Sequence, residues 1–227
     1  MDENIKYIIK NNAFYGYRIL IDENMGFIKC PKIDDINENL LIYISLVNRF
    51  IATYEDDKEI FYETIFSNDQ NIQEFASMVY FFFETEQIKY SNGKLFFNKG
   101  NFIDDTNICL LMEALRVIHH LDKKDDDYKP ANKIAAEMIA RAKKLKREVE
   151  SKIKNKDGVG FLEISSAVSA RHSSINPSNI GQLNYYQIID QYKRLMMIDD
   201  YIPCLYGNAT EEYAKKVKHY SVKIINE

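Results

Sequence analysis

The spacing of apolar positions along this chain predicts helices over most of its length. Between Pro31 and Leu121 this spacing marks four helices, near residues 34–54, 57–66, 69–83 and 104–121. Aspartate stands at each start, where a carboxylate caps free backbone N–H groups and complements the helix dipole. The residues predicted to face inward in the first and last of these helices are Leu40, Ile44, Val47, Ile51, Ile108, Leu111, Leu115 and Ile118.

Patterns typical of strands occur in two places. The first thirty residues look β-like, because residues 17–21 alternate, a polar turn follows, and residues 27–29 can return as a second strand. Residues 87–90 and 94–97 flank Asn92-Gly93, which supplies the positive φ angles of a tight hairpin turn. The predicted fold class is therefore mainly α (α+β): a helical bundle-like protein with an N-terminal β segment and one small β-hairpin near residues 87–97.

The longest helical pattern lies in the second half of the chain, from residue 131 to about residue 156. Its apolar positions form a narrow stripe: Ile134, Met138, Ala142, Leu145, Val149 and Ile153. A stripe this narrow is expected to pack against one partner surface rather than to fill the middle of a core. Shorter helices are predicted at residues 163–172 and after Thr210, which can cap the last helix.

The best-specified element is the helix that begins after Asn184. Asn184 can cap it, and Gln187 can reach back three residues to form a capping box, with Leu183 and Ile188 at the staple positions. Its predicted core face consists of Tyr185, Ile188, Ile189, Tyr192, Leu195 and Met196. Its other face carries residue types common at interfaces, and this candidate partner surface is Tyr186, Gln187, Gln191 and Arg194. An ordinary packed helix is the simpler alternative.

Charge divides the chain into two unequal halves. Residues 1–128 carry 13 Lys and Arg against 23 Asp and Glu, whereas residues 129–227 carry 17 against 11. The acidic cluster at residues 122–128 predicts the boundary, unless the halves form one integrated domain. The asymmetry indicates either nucleic-acid binding by the basic half or attraction between the halves or neighbouring copies. The second meaning is favoured, because the positive charge is too sparse for a dense basic patch.

The basic helix at residues 131–156 is nevertheless the strongest candidate for nucleic-acid binding by a regulatory protein. The candidate basic patch consists of Arg141, Lys143, Lys144, Lys146 and Arg147. These five charges lie within about two helical turns, so they cannot share one face. Glu148 and Glu150 also cancel part of the charge. A solvated helix face is therefore favoured over a phosphate track, and nucleic acid is an unlikely partner.

Residues that could carry chemistry are few and isolated. His119 and His120 point about 100° apart on a helix and so cannot hold one metal ion by themselves. The favoured interpretation places one ring against the core and the other at the helix C-terminus, where positive charge is favourable. His172 lies beside Ser173 and Ser174, but adjacency does not aim a base at a hydroxyl. We therefore expect no enzyme activity, no cofactor and no metal ion.

Cysteine usage and hydropathy restrict the compartment. Cys30, Cys109 and Cys204 are too widely spaced to indicate a disulfide framework or a zinc site. No apolar run reaches the roughly 20 residues that a membrane span requires. The acidic start of the chain also differs from the basic start of a signal peptide. The sequence thus predicts a reducing compartment and no membrane partner.

Three stretches resemble proteins that bacteriophages of Gram-positive bacteria (Firmicutes) encode in tail or virion-assembly modules. They are ILIDENMGFIKCPKIDDI from residue 19, LNYYQIIDQYKRL from residue 183, and YGNATEEYAKKVKHY from residue 206. The second fits L-x-x-Y-Q-h-h-D-Q-h-x-R-L, with h apolar. The resemblance implies a non-enzymatic structural or chaperone-like role, with no catalytic residues. It implies other phage tail or virion proteins as partners, self-association as a further option, and a location in the host cytoplasm during assembly or in the virion.

Overall fold

The computed structural model describes residues 1–85, 87–98, 100–121, 160–217 and 219. They are mainly helical with two small antiparallel sheets, which confirms the predicted fold class. The helices are α1 (Glu3–Tyr15), α2 (Ile33–Ile36), α3 (Leu40–Asp56), α4 (Phe61–Phe66), α5 (Asp69–Phe82), α6 (Ile108–Ile118), α7 (Phe161–Arg171), α8 (Tyr185–Leu205) and α9 (Glu211–Lys216). The strands are β1 (Ile19–Asp22), β2 (Gly26–Ile28), β3 (Ile88–Ser91), β4 (Lys94–Phe97) and β5 (Asn101–Ile103).

The N-terminal helix α1 shows that the β-like prediction was wrong for residues 3–15. Asp2 caps the helix by accepting a hydrogen bond from the backbone of Asn4 at 2.8 Å. Gly16 ends it with φ of 72°, in the left-handed region that glycine adopts without strain. Ile9 and Ala13 are the buried residues of the helix, one turn apart. The surrounding Ile and Tyr residues obscured this signal, because they also have high strand propensity.

The prediction was right for the hairpin that follows α1. Strands β1 and β2 are antiparallel, with Ile19 opposite Ile28 and Leu20 opposite Phe27. The first pair is fully buried, whereas the second pair faces solvent. One face of this small sheet therefore closes the core, as strand alternation requires.

The second sheet contains the predicted hairpin and one additional strand. β3 and β4 are joined by Asn92 and Gly93, whose φ angles of 50° and 72° confirm the predicted tight turn. β5 pairs with β4 on its other side and was not predicted. The N–H of Phe102 in β5 donates to the carbonyl oxygen of Asn24 at 3.1 Å. This bond links the two sheets at their ends.

The helix predicted from residue 34 to residue 54 is divided in two. A 3-10 turn at Asn37–Asn39 separates α2 from α3. Val47 and Ile51 are buried as predicted, while Leu40 and Ile44 are only partly buried.

One apolar core lies among α1, α3, α5, α6 and the inner faces of the sheets. Ile108, Leu111, Leu115 and Ile118 of α6 are completely buried, which confirms the predicted face of that helix. Aromatic side chains supply much of the remaining volume, and the buried ones include Tyr43, Phe50, Phe61, Phe75, Phe82 and Phe97. These elements form the platform on which the C-terminal helices rest.

The C-terminal helices α7 and α8 pack against each other and bury fewer apolar side chains than the described residues before position 122. In residues 160–217 the buried apolar side chains are Val168, Tyr186, Ile188 and Ile189. Thr210 caps α9 as predicted, by accepting a hydrogen bond from the backbone of Tyr213. The predicted helix at residues 131–156, the linker at residues 122–128 and the boundary beside it lie outside the described residues.

Candidate partner-binding cleft

The start of α8 is organised by the capping box that the sequence predicts. The side-chain oxygen of Asn184 accepts a hydrogen bond from the backbone N–H of Gln187 at 2.9 Å. The side-chain oxygen of Gln187 accepts one from the backbone N–H of Asn184 at 2.8 Å. Two backbone donors at the helix N-terminus are thereby satisfied. The first turn of α8 is consequently held in one defined geometry.

The same two side chains also bind the end of α1. The amide nitrogen of Asn184 donates to the carbonyl oxygen of Ala13 at 2.9 Å, and that of Gln187 donates to Phe14 at 2.7 Å. The last carbonyl groups of a helix have no partner within it, so these donors complete α1. The sequence did not reveal this second role, because nothing local shows that α1 and α8 meet.

The segment before α8 is fixed to α2 in the same way. The N–H of Ile33 donates to the carbonyl oxygen of Leu183 at 3.0 Å. The side chain of Gln182 contacts Asp34 and accepts a hydrogen bond from Lys32. Residues 182–187 are therefore attached to α1 and α2 together, which sets the position of α8 on the core platform.

The two adjacent histidines hold the first turn of α8 from below. His119 donates from Nδ1 to the carbonyl oxygen of Leu115 at 2.8 Å, so its Nε2 accepts from the hydroxyl of Tyr43 at 2.7 Å. His120 stacks on Tyr186 with ring centres 4.2 Å apart. The Nε2 of His120 also donates a hydrogen bond to the backbone carbonyl oxygen of Tyr186 at 3.2 Å. Burial lowers the pKa of His119 to about 4 and that of His120 to about 3. Both rings are therefore neutral at pH 7, including the one expected to be charged at the helix end.

A cleft of about 500 Å³ lies between α1 and α8, and His120 forms part of its lining. Its lining is Tyr7, Lys10, Asn11, Phe14, Tyr15, His120, Tyr186, Asp190, Gln191 and Arg194. Tyr7 is 66% exposed and Tyr15 is 58% exposed, so aromatic rings border the opening. Aromatic rings beside amide and cationic groups are typical of protein interfaces.

The four residues of the candidate partner surface differ in how deeply they are buried. Tyr186 is buried against His120, and Gln187 is occupied by its bonds to Asn184 and Phe14. Gln191 and Arg194 are partly exposed and line the cleft. The opposite wall, which α1 supplies, was not predicted, because the sequence of that segment looks β-like.

One ion pair crosses a single turn of α8 at the cleft. Asp190 Oδ2 lies 3.7 Å from Nε of Arg194, four residues later in the helix. Asp190 is only 6% exposed, so it belongs to the buried side of the helix rather than to its solvated face. Burial raises the pKa of its carboxyl group, and the neighbouring Arg194 partly offsets that effect.

The candidate basic patch, Arg141, Lys143, Lys144, Lys146 and Arg147, lies outside the described residues. The sequence nevertheless shows where the positive charge of the second half is concentrated. Residues 129–159 carry 10 Lys and Arg against 4 Asp and Glu, whereas residues 160–217 carry 5 against 6. The described C-terminal helices are therefore close to neutral and do not form a basic surface.

Other candidate chemistry is sparse in the part of the chain that the structure describes. Ser174 Oγ lies 3.2 Å from His172 Nδ1, and the backbone N–H of Ser174 also points to that nitrogen at 3.3 Å. Both contacts are typical of a tight turn. Within the described ranges, three or more His, Cys, Asp or Glu residues never gather to hold a metal ion. No helix among those residues is long and apolar enough to cross a membrane.

Comparison with known proteins gives a match in the C-terminal part of the chain. Residues 153–224 match the family described as YomV second domain. The family is one of Bacillus phage-region proteins, and the match loosely suggests a phage origin. No curated protein and no solved structure matches the chain. The matched range contains α7, α8 and α9, and so includes one wall of the cleft.

Proposed function

We propose that this chain is a non-enzymatic phage tail or virion-assembly protein, structural or chaperone-like, that acts by binding other proteins at the α1–α8 cleft. The observation that carries the proposal is the aromatic border of the cleft. Tyr7 and Tyr15 project into solvent although their rings could bury a large apolar area. Grouped exposed aromatic residues mark protein contact sites more often than they mark an inert surface.

The phage part of the proposal has separate support. The match to YomV second domain suggests a phage origin, and the sequence stretches quoted above resemble tail and virion-assembly proteins. One of these stretches, from residue 183, begins at the capping box and contributes Tyr186, Gln191 and Arg194 to the cleft. The resemblance and the geometry thus point to the same helix.

The proposal is tested by removing the protein from the phage that encodes it. A stop codon early in the gene should reduce the titre of infectious phage and leave incomplete particles in negative-stain electron micrographs. Complementation with the wild-type gene should restore both. A normal titre and normal particles without the protein would contradict the proposal.

Cleft variants then connect this effect to the site. Tyr7→Ser combined with Tyr15→Ser should fail to complement, and should no longer purify with a tagged tail protein. Tyr80→Ser in α5 is the matched control, because Tyr80 is 55% exposed but lies outside the cleft. Equal complementation by the cleft variant and the control would remove the cleft from the proposal.

A further inference from the structure

The solvent-facing side of α1 carries a second apolar surface, and we propose that it binds a second copy of this chain. Along this side, which we call the α1 seam, residues recur at spacings of three, four and three: Ile5, Ile8, Asn12 and Tyr15. Such spacing is the pattern of helices that pair along one face. The inference does not rest on the proposed function, because Ile5 and Ile8 lie outside the α1–α8 cleft, although Tyr15 borders both surfaces.

The α1 seam is separate from the face of α1 that packs on the core. The core face consists of Ile9 and Ala13, which are 3% and 0% exposed. By contrast, Ile5 is 50% exposed and Ile8 is 55% exposed. Because successive helical residues are about 100° apart, Ile8 and Ala13 lie about 140° apart around the helix. The helix is therefore apolar on two sides, and one of them packs within the same chain.

The outer face of the β1–β2 hairpin extends the α1 seam. Asn12 Nδ2 donates to the carbonyl oxygen of Arg18, just before β1, at 3.3 Å. On the hairpin, Leu20 and Phe27 form the cross-strand pair that faces solvent. The helix and β1 are also in contact along the chain that joins them. The seam and the hairpin together form one surface, the apolar patch, whose apolar members are Ile5, Ile8, Tyr15, Tyr17, Leu20 and Phe27.

The apolar patch is large enough for a stable dimer. Tyr15 and Tyr17 stack at the corner between helix and hairpin, with ring centres 5.7 Å apart. The apolar members of the patch are between 50% and 60% exposed. Together they present an area on the order of 700 Å², close to the roughly 800 Å² that each partner buries in a standard interface. Exposed apolar patches of more than a few hundred Å² usually mark interaction sites.

The placement of charge favours a second copy as the occupant. The charged residues of α1 lie about 140–160° from Ile8 around the helix, away from the seam, and they are Glu3, Lys6 and Lys10. Residues 1–121 carry 11 Lys and Arg against 19 Asp and Glu, so two copies repel each other at most of this half. An uncharged patch is where identical acidic surfaces can approach without that repulsion.

Asn12 also makes the apolar patch self-complementary. It lies between the isoleucines of the seam and the hairpin, and in a two-fold symmetric dimer the same patch faces itself. An asparagine amide has two N–H donors and one acceptor oxygen, so two copies of Asn12 can donate to each other while each keeps its bond to Arg18. An asparagine in such a seam fixes the register of the paired helices.

Sedimentation equilibrium of the full chain tests the proposal. The monomer has a mass of 26.7 kDa. We expect the weight-average mass to rise toward twice that value between about 1 µM and about 100 µM protein, the range in which modest interfaces assemble. Association should not weaken when salt is added, because salt screens the repulsion between acidic copies.

Substitutions assign the association to the apolar patch. Ile5→Glu combined with Ile8→Glu places charges in the seam of both copies and should raise the dimer dissociation constant at least about tenfold. Both side chains are at least half exposed, so the fold should be retained, which circular dichroism verifies. Leu41→Glu combined with Ile42→Glu is the matched control, because these residues are 80% and 54% exposed on α3. The control should dimerise as the wild type does.

The hairpin part of the patch is examined separately with Phe27→Ser. Loss of this exposed ring should raise the dissociation constant at least about threefold, because less apolar area is buried. The inference is overturned by a mass of 26.7 kDa at every concentration, by undiminished association in either patch variant, or by an equal loss in the α3 control.

Discussion

The amide nitrogen of Asn184 donates a hydrogen bond to the carbonyl oxygen of Ala13 across 171 positions of sequence. Its side-chain oxygen simultaneously caps α8 by accepting from the backbone of Gln187. One asparagine therefore completes the start of one helix and the end of another. The position requires an acceptor and a donor in the same side chain, which distinguishes it from an ordinary N-cap.

Asn184→Asp should reveal that double requirement. Asparagine and aspartate are nearly equivalent at exposed N-caps. At this buried position the carboxylate would face the carbonyl oxygen of Ala13 without a proton to donate, so we expect a loss of at least about 1 kcal/mol in unfolding free energy. Urea denaturation at pH 7 measures it. Thr210→Asp at the exposed cap of α9 is the control and should be close to neutral; equal effects at the two caps would contradict the double role.

His119 and His120 should make the fold sensitive to acid. Their folded-state pKa values of about 4 and about 3 lie below the unfolded value of about 6.5. Protons therefore bind the unfolded chain preferentially as pH falls below 6.5, and stability decreases until the folded pKa values are reached. By linkage the loss at pH 5 is at most roughly 2 kcal/mol for each ring.

Urea denaturation at pH 7.5 and pH 5 measures this effect. His119→Gln and His120→Gln should each lower stability at pH 7.5 but reduce the difference between the two pH values. An undiminished pH dependence in both buried-site variants would assign acid sensitivity to other groups.

Gly181 and Asp34 lie in contact, so the effects of their substitution on the unfolding free energy should be coupled. A Cβ atom at residue 181 would overlap the carboxylate of Asp34 on α2. Gly181→Ala should therefore destabilise the protein by about 1 kcal/mol, and should cost much less when Asp34 is also replaced by alanine. A double-mutant cycle by urea denaturation gives the coupling. Additive effects would show that the turn at Ile180–Gln182 adjusts freely on α2.

Substitutions at Gln191 and Arg194 should both weaken assembly, but they should differ in their effect on the stability of the fold. Gln191→Ala should change unfolding free energy by less than about 0.5 kcal/mol, because the side chain is partly exposed, yet weaken assembly. Arg194→Ala should additionally cost about 1 kcal/mol, because the buried Asp190 loses its neighbouring charge. Thermal unfolding combined with phage complementation tests both. Normal assembly in the double variant would reduce α8 to a well-capped structural helix.

Local signals were sufficient for the parts of the fold that local forces determine. The capping box of Asn184 and Gln187, the cap at Thr210 and the turn at Asn92-Gly93 depend on interactions within a few residues, and the sequence shows them directly. The buried face of α6 follows from strict helical spacing. Strand β5 was missed because three residues are too few to show alternation.

The cleft could not be predicted, because it depends on which helices become neighbours. The helix α1 was not predicted, because its Ile and Tyr residues suit strands equally well. The cleft wall that carries Tyr7 and Lys10 was therefore not predicted either. On α8, Tyr186 was assigned to a surface because helical spacing separates faces but does not show which partner covers each of them. The burial of Asp190 was missed for the same reason.

The bond between Asn184 and Ala13 also determines when the cleft can exist. Closing a loop of this length is entropically unfavourable, because the two ends must be brought together across 171 positions. During synthesis α1 leaves the ribosome long before α8, so the cleft cannot form until α8 has been made. A partner that requires both walls will therefore bind only chains that have been translated beyond residue 194 and folded. For the proposed assembly role, recognition at this site is then also a check that the chain is folded.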